Sequence, residues 1–345
     1  MFDNFFGNAA AVETLEQMIV RQRVPQTILL DGPEGVGKAT LARRFAARIL
    51  GGGDRIEQDD LSLPHNQTTL ADREKLPSEK RADDPLLLAS HPDFVTFCPD
   101  GPLRQISIQQ MRLLKERAQY GPLHGERRVF LIDGIDRANE HAANSLLKTL
   151  EEPPPYLVIF LTAENPYDLL PTIRSRSVPI RLGALTHEEM LAFGGARQLP
   201  DFTRLAALAS GSPGMAASLD LEAYDKRREV MRTFLEVALG AKPFPAWATH
   251  SEKLAAARTE KLEPYLKVLY LLLEDLVHLR ESLDVVRNAD LRQPLEQLAR
   301  RINFPWLREA VRRTDRLISD LRRNVNKNIA LDALVLELRE LAGGR

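Results

Sequence analysis

The sequence predicts an α/β domain, a parallel sheet with flanking helices, followed by a small helical domain and an all-helical C-terminal third. Three observations carry this. Short apolar runs alternate with helix-period stretches up to about residue 182. A glycine-rich loop, Gly32-Pro33-Glu34-Gly35-Val36-Gly37-Lys38-Ala39-Thr40, joins the first apolar run to the first long helical stretch. After 183 the strand-like runs stop, and from about 222 the helical stretches lengthen. Alternating strands and helices call for a parallel sheet covered on both faces. Ligand then sits beyond the carboxyl ends of the strands, where the glycine-rich loop lies.

The elements follow in order. Residues 10–23 place Val12, Leu15, Met18 and Ile19 at helical spacing. A strand at 26–31 leads through the loop into a helix at 38–50, which Gly51-Gly52-Gly53 ends. From 54 to about 90 the chain is polar and broken, with Pro64-His65-Asn66 and Lys80-Arg81-Ala82-Asp83-Asp84. It reads as a surface insertion, flexible in part. Strands are expected at 93–98, 128–133, 157–162 and 178–182. Between them a helix at 106–120 carries Ile108, Met111, Leu114 and Ala118 on one face, and another at 139–150 is stopped by Pro153-Pro154-Pro155. Short helical pieces at 186–193, 202–209 and 215–219 are punctuated by Gly194-Gly195 and Gly211-Ser212-Pro213-Gly214. Longer ones at 262–280, 305–322 and 329–342 repeat apolar groups with a helical period, as in a bundle. The expected domains are 1–182, 183–222 and 223–345.

Composition sets bounds. The 345 residues, 44% hydrophobic and 28% charged, are those of an ordinary soluble globular protein with room for two or three domains. No apolar run reaches membrane-spanning length, and Met1-Phe2-Asp3-Asn4-Phe5-Phe6-Gly7 lacks a signal-peptide layout, which points to the cytoplasm. The net charge of −1 argues against a protein that holds DNA alone, so any such contact is local or shared. Cys98 is the only cysteine, which excludes an internal disulfide and any multi-cysteine zinc module. The seven histidines are scattered, with no close pair at metal-ligand spacing, and no metal site is expected.

The glycine-rich loop is a phosphate cradle with one departure. Gly32, Gly35 and Gly37 permit positive φ and turn backbone N–H groups toward an anion, and the helix that follows adds its positive end. Lys38 supplies a point charge for the outer phosphates. The pattern requires Ser or Thr next, to ligate Mg²⁺, and the chain has Ala39. The nearest hydroxyl, Thr40, points about 100° further round the helix. Asp133, at the end of a buried strand, fits the acid that holds Mg²⁺ in such proteins; the plain alternative is a cap for the turn that follows. The position after it, which in an active hydrolase of this kind bears a water-positioning glutamate, is Gly134.

Asn144-Ser145-Leu146-Leu147-Lys148-Thr149-Leu150-Glu151-Glu152-Pro153-Pro154, then Phe160-Leu161-Thr162-Ala163 and Ile173-Arg174-Ser175-Arg176-Ser177, resembles the clamp-loader branch of AAA+ proteins. Phe2-Asp3-Asn4-Phe5-Phe6-Gly7-Asn8, His91-Pro92-Asp93, Gln119-Tyr120-Gly121-Pro122 and Asn324-Val325-Asn326 with Ile329-Ala330-Leu331-Asp332-Ala333-Leu334 extend the likeness over essentially the whole chain, in order. The resemblance implies an AAA+ P-loop domain, a lid and an oligomerising collar. It implies a degenerate nucleotide site at Gly32, Gly35, Gly37, Lys38, Thr40, Asp133 and Thr162. It also implies partners: motor subunits of the gamma/tau type, a delta subunit and, through the complex, the sliding clamp and primer–template DNA. No membrane is implied, and the location is the bacterial cytoplasm at the nucleoid.

Within that branch the chain resembles the non-hydrolysing members. It lacks the hydroxyl after Lys38, the glutamate after Asp133, and an arginine near Gly211-Ser212. Lost metal stabilisation alone is worth several kcal/mol, on the order of a thousandfold in rate. The expected ligand is ATP or ADP held without hydrolysis, with magnesium weak or absent. Two other readings stay open: an active motor with Thr40 and Asp136 in shifted roles, and a nucleotide-sensing adaptor outside replication. Many relatives carry a four-cysteine zinc module after the loop helix; residues 51–90 hold no cysteine, and no zinc is expected. The family's Ser-Arg-Cys motif reads Ser175-Arg176-Ser177 here. The resemblance makes Arg176 an arginine finger acting on a neighbouring subunit's ATP, an effect of roughly 10³–10⁵ in rate. The residues alone leave a structural salt bridge by Arg174 or Arg176 equally open. Lys115, Arg117, Arg127-Arg128 and the arginine pairs at 300–301, 312–313 and 322–323 read as solvated faces or as contacts for DNA or acidic partners.

Overall fold

The computed structural model describes residues 2, 4–256, 262–283, 285–321 and 326–343. Arg322-Arg323, Asn324-Val325 and Asp3 lie outside the described residues. The chain divides into two compact units, one of Met1–Phe202 and Ala209–Ser218, the other of Thr203–Leu208 and Leu219–Arg345.

The first unit begins with α1 (Ala9–Val20), β1 (Thr27–Asp31) and α2 (Lys38–Leu50). Helices α3 (Gly53–Glu57), α4 (Pro64–Lys75) and α5 (Ser78–Asp83) follow, then β2 (Leu88–His91), β3 (Phe94–Phe97), α6 (Ile108–Arg117), β4 (Arg128–Ile132), α7 (Glu140–Glu151) and β5 (Leu157–Ala163). Last come α8 (Pro171–Arg174), β6 (Val178–Arg181), α9 (His187–Arg197) and, after α10 (Phe202–Ala209), most of which belongs to the second unit, α11 (Pro213–Ser218). The six strands form one sheet in the order β2-β3-β4-β5-β1-β6. It is parallel except at one edge, where β2 runs antiparallel to β3. That edge strand is absent from the sequence reading.

Strand side chains alternate between two cores, as a period of two requires. Leu29, Phe130, Ile132, Ile159 and Leu161 point to one face, where Met111 and Leu114 of α6 and Leu146 and Leu150 of α7 meet them. Ile28, Leu30, Val129, Leu131, Val158 and Phe160 point to the other, against Leu15 of α1 and Leu41 and Phe45 of α2. Both faces of the sheet are therefore covered, as the alternation predicted.

Two expectations are corrected. The polar segment 54–90 is not a broken loop: it holds three helices. They are fastened by ion pairs as well as by single buried apolar side chains, Ile56 of α3 and Leu70 of α4. Buried Arg43 of α2 meets Glu57 at 3.0 Å and Asp60 at 2.5 Å. Arg73 of α4 meets Asp100 at 2.7 Å. Gly194-Gly195 does not end its helix either, because α9 continues to Arg197. A Cβ at Gly194 would lie 2.4 Å from the Phe202 ring, so this glycine serves close packing rather than termination.

The second unit is helical among its described residues: α12 (Leu221–Ala238), α13 (Pro245–Ala256), α14 (Glu263–Arg280), α15 (Arg292–Ala299), α16 (Phe304–Leu321) and α17 (Lys327–Leu341), with Thr203–Leu208 of α10. Leu266, Leu269, Leu273 and Leu276 of α14 share a core with Phe234, Trp247, Trp306 and Leu338. The two indoles keep their N–H groups satisfied inside it. Trp247 donates to Asp332 at 2.7 Å, and Trp306 to the Leu338 carbonyl at 2.8 Å.

Candidate nucleotide site

The carboxyl ends of β1, β4 and β5 are neighbours in the sheet, and the site stands on them. The loop leaves β1, Asp133 follows β4, and Thr162 sits near the end of β5, in register with Leu30. Gly35, Gly37, Lys38, Thr40, Asp133 and Thr162 line one cavity of about 830 Å³. Gly32 lies at the base of the loop and is not among the lining residues.

The three loop glycines are required by the backbone, at φ of 146°, 75° and 98° for Gly32, Gly35 and Gly37. A Cβ at Gly32 would lie 2.0 Å from the Leu182 carbonyl, and one at Gly37 would lie 2.9 Å from the Phe5 ring. Helix α2 begins at Lys38, directly after Gly37 in the left-handed region.

Lys38 is turned back onto its own loop. Its ammonium donates to the carbonyls of Gly32 at 2.6 Å and Pro33 at 2.8 Å. Burial pulls its pKa below the ordinary lysine value, and the negative charges of Glu164, Asp133, Asp136 and Glu34 oppose that pull. The second-strand acid is locked in a short network. Thr162 donates to Asp133 Oδ1 at 2.6 Å and accepts from the Gly134 N–H at 2.7 Å. Gly134 is left-handed, at φ 78° and ψ 51°. A glutamate there would take a conformation that costs about 1–2 kcal/mol for a residue with a Cβ. The left-handed turn thus disfavours a glutamate there.

Thr40 accepts a long bond of 3.4 Å from buried Arg43. Asp136 accepts from the Glu164 N–H at 2.9 Å through Oδ2, while its buried Oδ1 has no hydrogen-bond partner. Sequence reasoning missed the other side of the cavity. Phe5, Arg137, Glu164 and Arg197 line it, and so do Pro213 and Gly214 of the Gly-Ser-Pro-Gly turn. Glu164 directly follows the Phe160–Ala163 motif, while Arg197 carries no motif around it; only the fold brings them here. Among the described residues no cluster of His, Cys, Asp and Glu could hold a metal ion.

Arg176 is elsewhere. It follows α8, does not line the cavity, and has a third of its side chain exposed. Its guanidinium meets Glu151 at 2.9 Å and donates to the Thr172 carbonyl at 3.0 Å. Neighbouring Arg174 stacks on the Tyr167 ring at 4.9 Å. The structure thus separates the candidate site residues into one cavity and one surface arginine. Among the described residues no helix is long and apolar enough to cross a membrane.

Residues 7–186 match the family described as "DNA polymerase III, delta subunit". The chain belongs to that family. Residues 222–340 match the corresponding C-terminal family, "DNA polymerase III, delta subunit, C terminal". The chain is 32% identical over 228 residues to the DNA polymerase III subunit delta' of Pseudomonas aeruginosa, covering 62% of this chain and 63% of that one. It is 27% identical to the DNA polymerase III subunit gamma of Buchnera aphidicola over 56% of this chain and 47% of that one. The chain therefore spans less than two thirds of these relatives. Among solved structures, a gamma subunit-related protein of Thermotoga maritima aligns with a TM-score of 0.45 and 19% identity, over 96% of this chain and 99% of that one.

Proposed function

We propose that the chain is a delta-prime-type subunit of a DNA polymerase III clamp loader, a stator that does not itself hydrolyse ATP. One observation carries the reading: a phosphate cradle stands intact beside a left-handed Gly134, with Ala39 where a metal-ligating hydroxyl belongs. The loop can hold ATP or ADP, with Lys38 and Arg197 as counter-charges in the same cavity. Hydrolysis lacks both a water-positioning acid and one metal ligand. The two remaining readings are less well supported. An active motor would need Asp136 to orient water, but one of its carboxylate oxygens accepts from the Glu164 backbone and the other is buried. An adaptor outside replication is disfavoured by the family.

In this reading the partners are motor subunits of the gamma/tau type and a delta subunit, with clamp and primer–template DNA met through the complex. Residues 183–222 act as a lid and 223–345 as an oligomerising collar. Arg176, a third of its side chain exposed, supplies its guanidinium to the ATP of a neighbouring motor, exchanging its bond to Glu151 for phosphate oxygens. The test is a complex reconstituted with Arg176→Ala. Assembly should persist, while turnover at the adjoining motor site falls roughly 10³-fold or more and clamp loading fails. Full activity would sink the assignment.

A further inference from the structure

We propose that the phosphate-binding loop serves as an intramolecular latch, fixing the Gly211–Gly214 turn and helix α11 to the sheet through contacts that nucleotide neither makes nor breaks. The contacts are specific. Ser212 Oγ donates to the Glu34 carbonyl at 2.9 Å, and the Gly214 N–H donates to the Gly35 carbonyl at 2.8 Å. Ser212 Oγ also accepts from the Met215 N–H at 3.2 Å, so one hydroxyl starts α11 and ties it to the loop. Ser212 is buried, at 5% exposure. These bonds join segments 178 residues apart in sequence.

The approach is backbone to backbone and depends on glycine on both sides. A Cβ at Gly35 would lie 2.2 Å from Ser212 Oγ. A Cβ at Gly214 would lie 2.9 Å from the Gly35 carbonyl oxygen and 3.0 Å from its Cα. No side chain, arginine included, fits at 214 while the latch is closed. The latch takes carbonyl oxygens of the loop. A phosphate takes N–H groups. The two uses of the loop are chemically separate, so the position of α11 is set by the protein alone. In this chain the glycine-rich loop positions a helix whatever nucleotide it holds. The inference goes beyond the stator reading and does not depend on Arg176.

Hydrogen exchange on the full chain tests it, in wild type, Ser212→Ala and Gly214→Ala, each with and without Mg–ATP and ADP. The latch predicts that wild-type residues 211–218 are protected equally with and without nucleotide. Both variants should raise exchange in 211–218 and in loop residues 33–38 together, by roughly threefold to tenfold for one net hydrogen bond. Gly214→Ala is the sharper variant. Helix propensity alone predicts slower exchange in α11 on replacing Gly by Ala, while the latch predicts faster. Loss of a local cap in Ser212→Ala would loosen 211–218 and leave 33–38 unchanged. The proposal is overturned if either variant leaves 33–38 at wild-type exchange. It is also overturned if wild-type 211–218 becomes protected only on adding nucleotide.

Discussion

Replacing Arg73 by Met should loosen helices α4 and α5 from the sheet domain by about 3 kcal/mol. Arg73 is nearly buried, with 9% of its side chain exposed, and so is its partner Asp100, at 8%. Its Nε lies 3.1 Å from each Asp100 carboxylate oxygen, and Nη2 donates to Asp100 at 2.7 Å and to the Asp84 carbonyl at 2.6 Å. Met keeps the stem and removes the guanidinium, stranding a carboxylate in a poorly solvated place. Breaking a buried pair in this way costs about 3–5 kcal/mol. The lower end applies because Asp100 keeps the Gly101 N–H at 2.7 Å, and because the Asp84 side chain is 88% exposed and loses little. The chain has two units, so a single unfolding free energy is ill-defined. Native-state hydrogen exchange over residues 64–83 reads the local opening energy instead. Arg73→Met with Asp100→Asn should recover much of the loss, since no charge is then stranded. A single variant that costs under about 1 kcal/mol, or a double variant no better than the single, would refute the view that ion pairing orders this segment.

Two further outcomes are expected. Ala39→Thr restores a hydroxyl after Lys38 but leaves Gly134 in place, so steady-state phosphate release by the chain should stay negligible; turnover revived by this change alone would show that the glutamate is dispensable. Burial lowers the His91 pKa, helped by His124 and Arg55 and opposed by Asp93 and Asp59. The folded state therefore binds its proton less readily than the unfolded chain. Its contribution to stability is present above about pH 6.5 and is lost as pH falls below that. An NMR titration should place the His91 imidazole below the ordinary histidine value, and a normal or raised value would contradict the burial argument.

Much of the sheet domain is legible because its signals are local. The strand–loop–helix unit needs positive φ at three fixed positions, and helix α2 runs over the same residues, 38–50, that the glycines and Gly51 mark out. Strand β4 announces itself as an apolar run buried throughout. The unread parts depend on distant partners. Helix α4 is mostly polar, and besides a lone buried Leu70 it packs through Arg73, whose acid lies 27 residues on. Edge strand β2 has four residues, two of them exposed, and no alternation to detect. The glycine pair at 194–195 looks like a stop, and only Phe202 shows why one of them is needed inside a helix. The site divides the same way. Its cradle is a pattern, while Glu164 and Arg197 reach the cavity wall, and Ser212 the loop, only through folding.

The departures around the cradle are not equivalent. Ala39 is a side-chain loss on an unchanged helix, and one substitution restores the oxygen. Gly134 and Gly214 are commitments of the backbone. The first holds a left-handed turn whose N–H feeds Thr162, and through it Asp133. The second admits the Gly35 carbonyl to within hydrogen-bonding distance of its own N–H. A longer side chain at 134 carries a cost of about 1–2 kcal/mol for the left-handed turn, and one at 214 meets a steric collision at the close approach. The fold requires glycine at 32 and 35, because a Cβ at either would collide with the Leu182 carbonyl or Ser212 Oγ. Packing alone therefore suffices to hold the cradle's shape, whether or not hydrolysis ever depends on it.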